Sequence, residues 1–338
     1  MKLTINTFTL RLRHTFGISR GKRDVQETVI VTLEEDGFKG HGEATANPYY
    51  GTTQANIVAE LEKNRARIEN YRLDTPENFW EYMHPFLAHF PFAQCALDEA
   101  ANDLWGKKMK KPLFELWGLS LDNIPMSNYT IGIDTIPKMV EKLEELPWPL
   151  YKVKLGTAHD IEIIEALREH TDAVFRIDAN CGWTAKDAVA YAKTLKNMGV
   201  EFLEQPLPAE DIEGQKYVFE NSVLPVIADE SCQVESDVKK CHGLFHGINI
   251  KLMKCGGLTP ARRMIAEAKS LGMKVMVGCM TESTVGISAI AQLLPLLDYV
   301  DMDGALLLRD DVAKGVSLRD GKVFFSEANG TGAVLTGL

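Results

Sequence analysis

Asp178, Glu204 and Asp229 each close a short apolar run: VFRID, VEFLE and PVIAD. They stand 26 and 25 residues apart, about the length that a strand, a loop, a helix and a return loop occupy in a βαβ unit. Three carboxylates one unit apart, each at a strand end, converge on one mouth of a parallel sheet or barrel. There they repel one another strongly unless a cation lies between them. Oxygen donors with neither His nor Cys among them favour Mg²⁺, with Mn²⁺ able to substitute, over zinc. A single acid after a strand is as readily a helix N-cap; three at matched spacing are not explained that way.

The period extends in both directions. Lys154 lies 24 residues before Asp178, in LYKVKLG, and Lys251 lies 22 after Asp229, in GINIKLMKCGG. A strand buried on both faces has no ordinary place for an ammonium. Pointing into a barrel near its carboxyl end, each lysine reaches the cation, and the two should flank it from opposite sides. Lys152, two residues before Lys154, shares its face. Snorkelling surface lysines would not stand in such apolar runs. The last candidate strand ends in YVDMDG, so Asp301 and Asp303 share a face at the same mouth and call for a further cation. Thr130, Cys279 in VGCMTES, and Glu230 beside Asp229 are weaker pocket candidates, with Glu230 pointing the other way in an extended chain.

The elements that must hold these residues follow from Ile124 onward. PMSNYTIG, LYKVKLG, VFRIDAN, EFLEQ, PVIADE, GINIKLM, KVMVGC and DYVDMDG read as strands, separated by amphipathic stretches such as AKDAVAYAKTLKNMG and TPARRMIAEAKSLG. Eight strands in this alternation predict a (β/α) barrel with its site at the carboxyl ends of the strands. Ahead of it, residues 2–13 and 27–33 read as strands, EEDG as a turn and FKGHGEATA as the return of a meander. FGISRGKRDVQ and TANPYYGTT read as loops of the kind that form lids. Three helices are expected from Thr53 to Lys108, and in the last of them Asp98, Glu99 and Asp103 read as a solvated face. The division is an α+β cap over 1–120 and a barrel over 121–309, followed by a tail, 310–338, with a GKVFF strand and no closing helix.

The bulk numbers exclude several classes. A net charge of −10 over 338 residues argues against nucleic acid or an anionic membrane as a partner. No apolar run approaches the ~20 residues that span a bilayer, and MKLTINTFTLRLRHTF alternates like a strand and lacks a signal-peptide core. The six cysteines contain no CxxC pair and read as reduced thiols of a cytoplasmic protein. The sequence leaves the oligomeric state open, a homo-oligomer included.

Taken together, K-x-K, then D, E and D at strand ends, then a lysine before a GG turn resemble the muconate-lactonizing subgroup of the enolase superfamily. YKVKLG, RIDANCGW, FLEQPLP, IADES and NIKLMKCGG all fit. The resemblance implies a (β/α)7β modified TIM barrel whose tail packs back on the cap. It implies Mg²⁺ on Asp178, Glu204 and Asp229, and Lys154 and Lys251 as acid and base on opposite faces of an α-carbon. Lys152 would help to hold the substrate carboxylate, and crowding would lower the pKa of the lysines toward working pH. A D-x-D in the last strand is similar to that of dipeptide epimerases, where it binds the α-ammonium of a dipeptide. Ala–Glu epimerases carry an arginine in the first cap loop. Counted back from ETVIV that position falls here on Gly21, with Arg20 next to it, so the reading leans to a hydrophobic second residue. The alternatives are an N-acylamino acid racemase, an o-succinylbenzoate synthase or a cycloisomerase of the same subgroup, and a metal-binding barrel without catalysis.

Overall fold

The computed structural model describes residues 1–18 and 21–336. Eight parallel strands, β4 (Tyr129–Ile131), β5 (Leu150–Lys154), β6 (Val174–Asp178), β7 (Val200–Glu204), β8 (Val226–Ala228), β9 (Gly247–Ile250), β10 (Lys274–Gly278) and β11 (Tyr299–Asp301), lie side by side in sequence order. A bridge between Ser127 and Val300 joins the first to the last and closes the barrel. An α-helix runs between every successive pair of these strands; after β11 comes a short 3-10 helix, Gly304–Leu307, and among the described residues no α-helix. This is the (β/α)7β form. Outward-facing Ile and Val of the strands meet the apolar stripes of the helices, which supply Met139, Ile164, Leu195 and Met264 among the fully buried residues.

The cap begins with an antiparallel meander, β1 (Lys2–Ile18), β2 (Gly21–Glu35) and β3 (Phe38–Thr45). The stretch read as a loop, FGISRGKRDVQ, is mostly strand: pairing resumes at Phe16 with Arg23 and continues to Ile18 with Gly21, after an irregularity beyond Arg11. The expected helix from Gln54 breaks at Asn64 into Gln54–Lys63 and Arg65–Asn70. The helix Pro76–Leu87 is followed by the long helix Pro91–Met109.

That long helix overturns one expectation. Asp98, Glu99 and Asp103 are no more than 1% exposed. The helix is covered on both sides, by β3 and by elements of the barrel. Gly40 and Gly42 let it approach so closely that a Cβ at either would stand 2.1 Å from a helix carbonyl, of Ala100 or Ala96. The acids are satisfied by neighbouring chain. Asp98 accepts from Thr259 N and Oγ1, Glu99 from Glu43 N, and Asp103 from His41 N and Thr331 N. Charge spacing on a helix cannot reveal that both faces will be covered.

The tail forms two small antiparallel pairs, the hairpin of Ser317–Arg319 with Lys322–Phe324 and, around it, Ala313–Lys314 with Val334–Leu335. Gly330 exchanges backbone hydrogen bonds with Lys111 and Leu113 of the cap. Among the described residues, no helix is long and apolar enough to cross a membrane.

Candidate active site

Strand register sets the floor of the site. Lys154 is aligned with Asp178 across β5 and β6, and Asp178 with Glu204 across β6 and β7. Asp229 follows β8 directly. One oxygen from each of Asp178, Glu204 and Asp229 lies within 4.8 Å of the others, and all three residues are buried.

Four lysines surround this trio. Lys154 Nζ lies 2.5 Å from Asp178 Oδ2, and Lys251 Nζ 2.7 Å from Asp229 Oδ2, on the two flanks. Lys254 Nζ donates to Asp229 Oδ1 at 2.6 Å and to the carbonyls of Asp229 and Cys232. Lys152 Nζ is 2.8 Å from Glu204 Oε2 and 3.2 Å from Asp178 Oδ2. Burial opposes ionisation of Asp229 and Asp178, but Lys251 and Lys254 hold the first well below the usual carboxylate range, and Lys154 and Lys152 lower the second. Glu204 goes the other way. Burial and the Asp178 charge push it up to about 7. Its Oε1 accepts from Asn249 Nδ2 at 2.8 Å, whereas Oε2 has no aligned donor despite the nearby ammonium.

The trio therefore has hard oxygen donors, a short mutual separation and one carboxylate short of positive charge. These features fit a divalent cation of the Mg²⁺ class. Burial works against the charge of Lys251, yet Asp229 pushes its pKa above the lysine range, the reverse of what crowding alone predicts.

The pocket above the trio is walled by Lys154, Asp229, Glu230, Lys251, Asp301 and Asp303 of the barrel. Phe16, Arg23, Tyr49 and Tyr50 close it from the cap, so the paired Phe16 and Arg23 of β1 and β2 and the turn at 47–51 stand over the barrel mouth. Thr130 and Cys279 also reach the wall. Glu230, expected to face away, lines the same pocket because the chain turns at once after β8. Lys152 is 1% exposed and lies behind the trio, off the pocket wall. Arg20 lies outside the described residues.

The two acids after β11 differ. Asp301 receives Lys152 Nζ at 2.8 Å on Oδ2 and Asn128 Nδ2 at 2.7 Å on Oδ1. Burial opposes its charge, but Lys152 keeps it far below the carboxylate range. Asp303 accepts from Thr130, at 2.6 Å from N and 3.2 Å from Oγ1. Burial and the neighbouring Asp301 push it up to about 8.

Residues 2–118 match the family model described as the mandelate racemase / muconate lactonizing enzyme N-terminal domain, and residues 137–337 match the enolase C-terminal domain-like model. The chain belongs to the enolase superfamily. Among its relatives, this enolase-superfamily chain is 58% identical over 335 residues to the L-Ala-D/L-amino acid epimerase of Flavobacterium johnsoniae, covering 99% of this chain and 100% of that one. It is 56% identical over 339 residues to a protein of the same name from a Maribacter species, with 99% of each chain covered. It is also similar to the dipeptide epimerase of Enterococcus faecalis solved with Mg and the dipeptide L-Leu-L-Tyr, at a TM-score of 0.92 and 33% identity over 98% of both chains.

Reading the sequence missed three polar residues of this superfamily site. Lys254 reaches Asp229 because a single helical turn, Leu252–Cys255, follows Lys251; two lysines three apart in an otherwise apolar stretch were the signal. Asn249 alternates with Lys251 on β9 and so faces the barrel interior. Arg23 donates to Thr281 Oγ1 at 2.9 Å and lies over the Phe16 ring. It was hidden by reading its strand as a loop.

Proposed function

We propose that the protein is a Mg²⁺-dependent dipeptide epimerase that inverts the α-carbon of the residue carrying the free carboxylate. The observation that carries this reading is the pairing, in one pocket, of lysines on opposite flanks of the carboxylate trio with Asp303 across the mouth. The names of the relatives support the same activity. The cation, held by Asp178, Glu204 and Asp229, supplies Lewis-acid stabilisation of the negative charge that builds on the substrate carboxylate as the α-proton leaves.

The chain's own residues do the rest. Lys154 and Lys251 face an α-carbon from opposite sides. One, neutral, takes the proton; the other, charged, returns a proton to the far face, and the stereocentre inverts. Asp303, backed by Asp301, receives the free α-ammonium. Phe16, Tyr49 and Tyr50 of the cap exclude water and offer apolar surface to the second side chain, which keeps the lean to a hydrophobic residue. The cap is residues 1–120 with the tail from about 310, and the barrel is 121–309. We place the enzyme in the cytoplasm, in keeping with six free cysteines.

The test is an L,L-dipeptide library in deuterated water with Mg²⁺, read by mass spectrometry. Deuterium should enter at the α-carbon of the carboxyl-terminal residue, excess chelator should stop it, and N-acetylated dipeptides should react poorly. Turnover of an N-acylamino acid as fast as any free dipeptide would replace this reading with a racemase. Full activity in chelator would remove the metal from it.

A further inference from the structure

Glu204 is followed at once by a residue in an uncommon conformation. Gln205 has a φ of 34°, in the left-handed region that residues other than glycine seldom adopt. Such backbone persists where the surroundings hold it in place, and here they do. Gln205 is fully buried. Its Oε1 accepts from Asp229 N at 2.9 Å and from Ser231 N at 3.1 Å. Its Nε2 donates to the Leu207 carbonyl and to Ser231 Oγ, each at 2.9 Å. The main chain is engaged as well: N donates to the Ile227 carbonyl at 2.9 Å, and the Gln205 carbonyl accepts from Cys181 N at 2.8 Å.

These bonds reach the ends of three neighbouring strands, β6, β7 and β8. Cys181 belongs to the turn after β6, in which Asn180 N donates to Asp178 Oδ1 at 2.9 Å. Glu204 is the last residue of β7, and Asp229 stands one residue past the end of β8. Sheet register places the strands but leaves the turns beyond them free to shift. The amide of Gln205 supplies a cross-link there, because it grips Asp229 by its own backbone N–H.

We infer that Gln205 is a positioning residue that fixes the spacing of the three carboxylates, and with it the size of the cation they select. This inference rests on the metal site proposed above. Partners one step removed from a metal commonly change its affinity about ten- to a hundredfold. A rigid set of oxygens also discriminates by size, since Mg²⁺ demands them at about 2.0–2.1 Å and Ca²⁺ takes them at about 2.3–2.6 Å in looser arrangements. Loosening the turns should therefore harm the smaller ion more than the larger.

The experiment replaces Gln205 by neutral residues, so that the net charge around the carboxylates does not change. Gln205→Gly suits the left-handed backbone and removes the amide. Gln205→Met keeps the length of the side chain without its hydrogen bonds, and carries the test should the glycine variant not fold. Folding is checked by circular dichroism. The Kd of Mn²⁺, the stand-in for Mg²⁺, is measured by electron paramagnetic resonance without substrate, and that of Ca²⁺ by its displacement of Mn²⁺. Each folded variant should bind Mn²⁺ at least about tenfold more weakly than wild type and Ca²⁺ less than about threefold more weakly, so that the preference for the smaller ion shrinks. Unchanged Mn²⁺ binding in a folded variant, or equal losses for the two ions, overturns the role of Gln205. Wild type that binds no Mn²⁺ overturns the metal site itself.

Discussion

Two groups of buried acids sit in this molecule, one at the barrel mouth and one along the helix Pro91–Met109. By burial alone they are alike: Asp178, Glu204 and Asp229 are no more exposed than Asp98, Glu99 and Asp103. Their partners differ. The mouth acids face four ammonium groups and an open pocket. Asp98 and Glu99 accept from amides, a hydroxyl and a thiol, with no cation bonded to either among the described residues, whereas Asp103 also receives Lys107 Nζ at 2.6 Å. Burial therefore pushes Asp98 up to about 7 and Glu99 up to about 8. Several ammonium groups beside a cavity mark chemistry. Mostly neutral donors, with the single ammonium of Lys107 on Asp103, mark architecture, here the joint between cap and barrel.

The comparison breaks most sharply if the mouth lysines prove dispensable. Lys154→Ala and Lys251→Ala should each lower epimerisation by at least about a hundredfold, since positioned acid–base groups contribute roughly 10²–10⁴. Each variant should still exchange the α-proton of one epimer in deuterated water through the surviving lysine. Epimerisation at the wild-type rate in either variant would remove the two-base assignment.

Asp303→Asn comes next. Loss of a charge-assisted hydrogen bond costs about 1.5–3 kcal/mol, so kcat/KM for free dipeptides should fall about tenfold to over a hundredfold. Unchanged kinetics would mean that the ammonium binds elsewhere.

At the joint the sign of the result reverses. Glu99→Ala leaves the Glu43 amide buried without its acceptor and should cost about 1–3 kcal/mol of stability, seen as a lower Tm, with kcat/KM of the folded enzyme retained. A selective loss of kcat at constant Tm would move Glu99 from the joint to the site.

The smallest effect is on pH dependence. An acid whose pKa is raised by folding binds its proton more tightly in the folded state. Asp98 and Glu99 thus contribute stability at low pH that is lost as pH climbs from about 4, the ordinary carboxylate range, through about 8. Denaturation by urea across that window should show this decline, and Glu99→Gln should make it shallower. An unchanged slope would show that Glu99 ionises no differently when folded.

Much of this was legible in the sequence. The trio, the flanking lysines and the eight barrel strands rest on period, and period survives folding. What escaped depends on contacts between distant segments. Arg23 was lost because pairing with β1, which the residues themselves do not announce, extends β2 to the hairpin tip. Asp98 and Glu99 were misread because their cover comes from β3 and from Thr259. Asp301 and Asp303 looked equivalent because strand alternation places side chains on a face and says nothing of who already occupies it.

Asp103 shows what the joint means for making the protein. Its two oxygens hold His41 on one side and Thr331 on the other, and the second contact spans 228 residues. During synthesis the cap sheet and its helix emerge well before this carboxylate can meet its last donors, which come only with Thr331. Contacts of such long span close slowly. The early segment must wait, with a polar group meant for the interior still exposed to water. The segment around Thr331 is thus a latch, and the nascent protein is most vulnerable to aggregation and proteolysis just before it arrives.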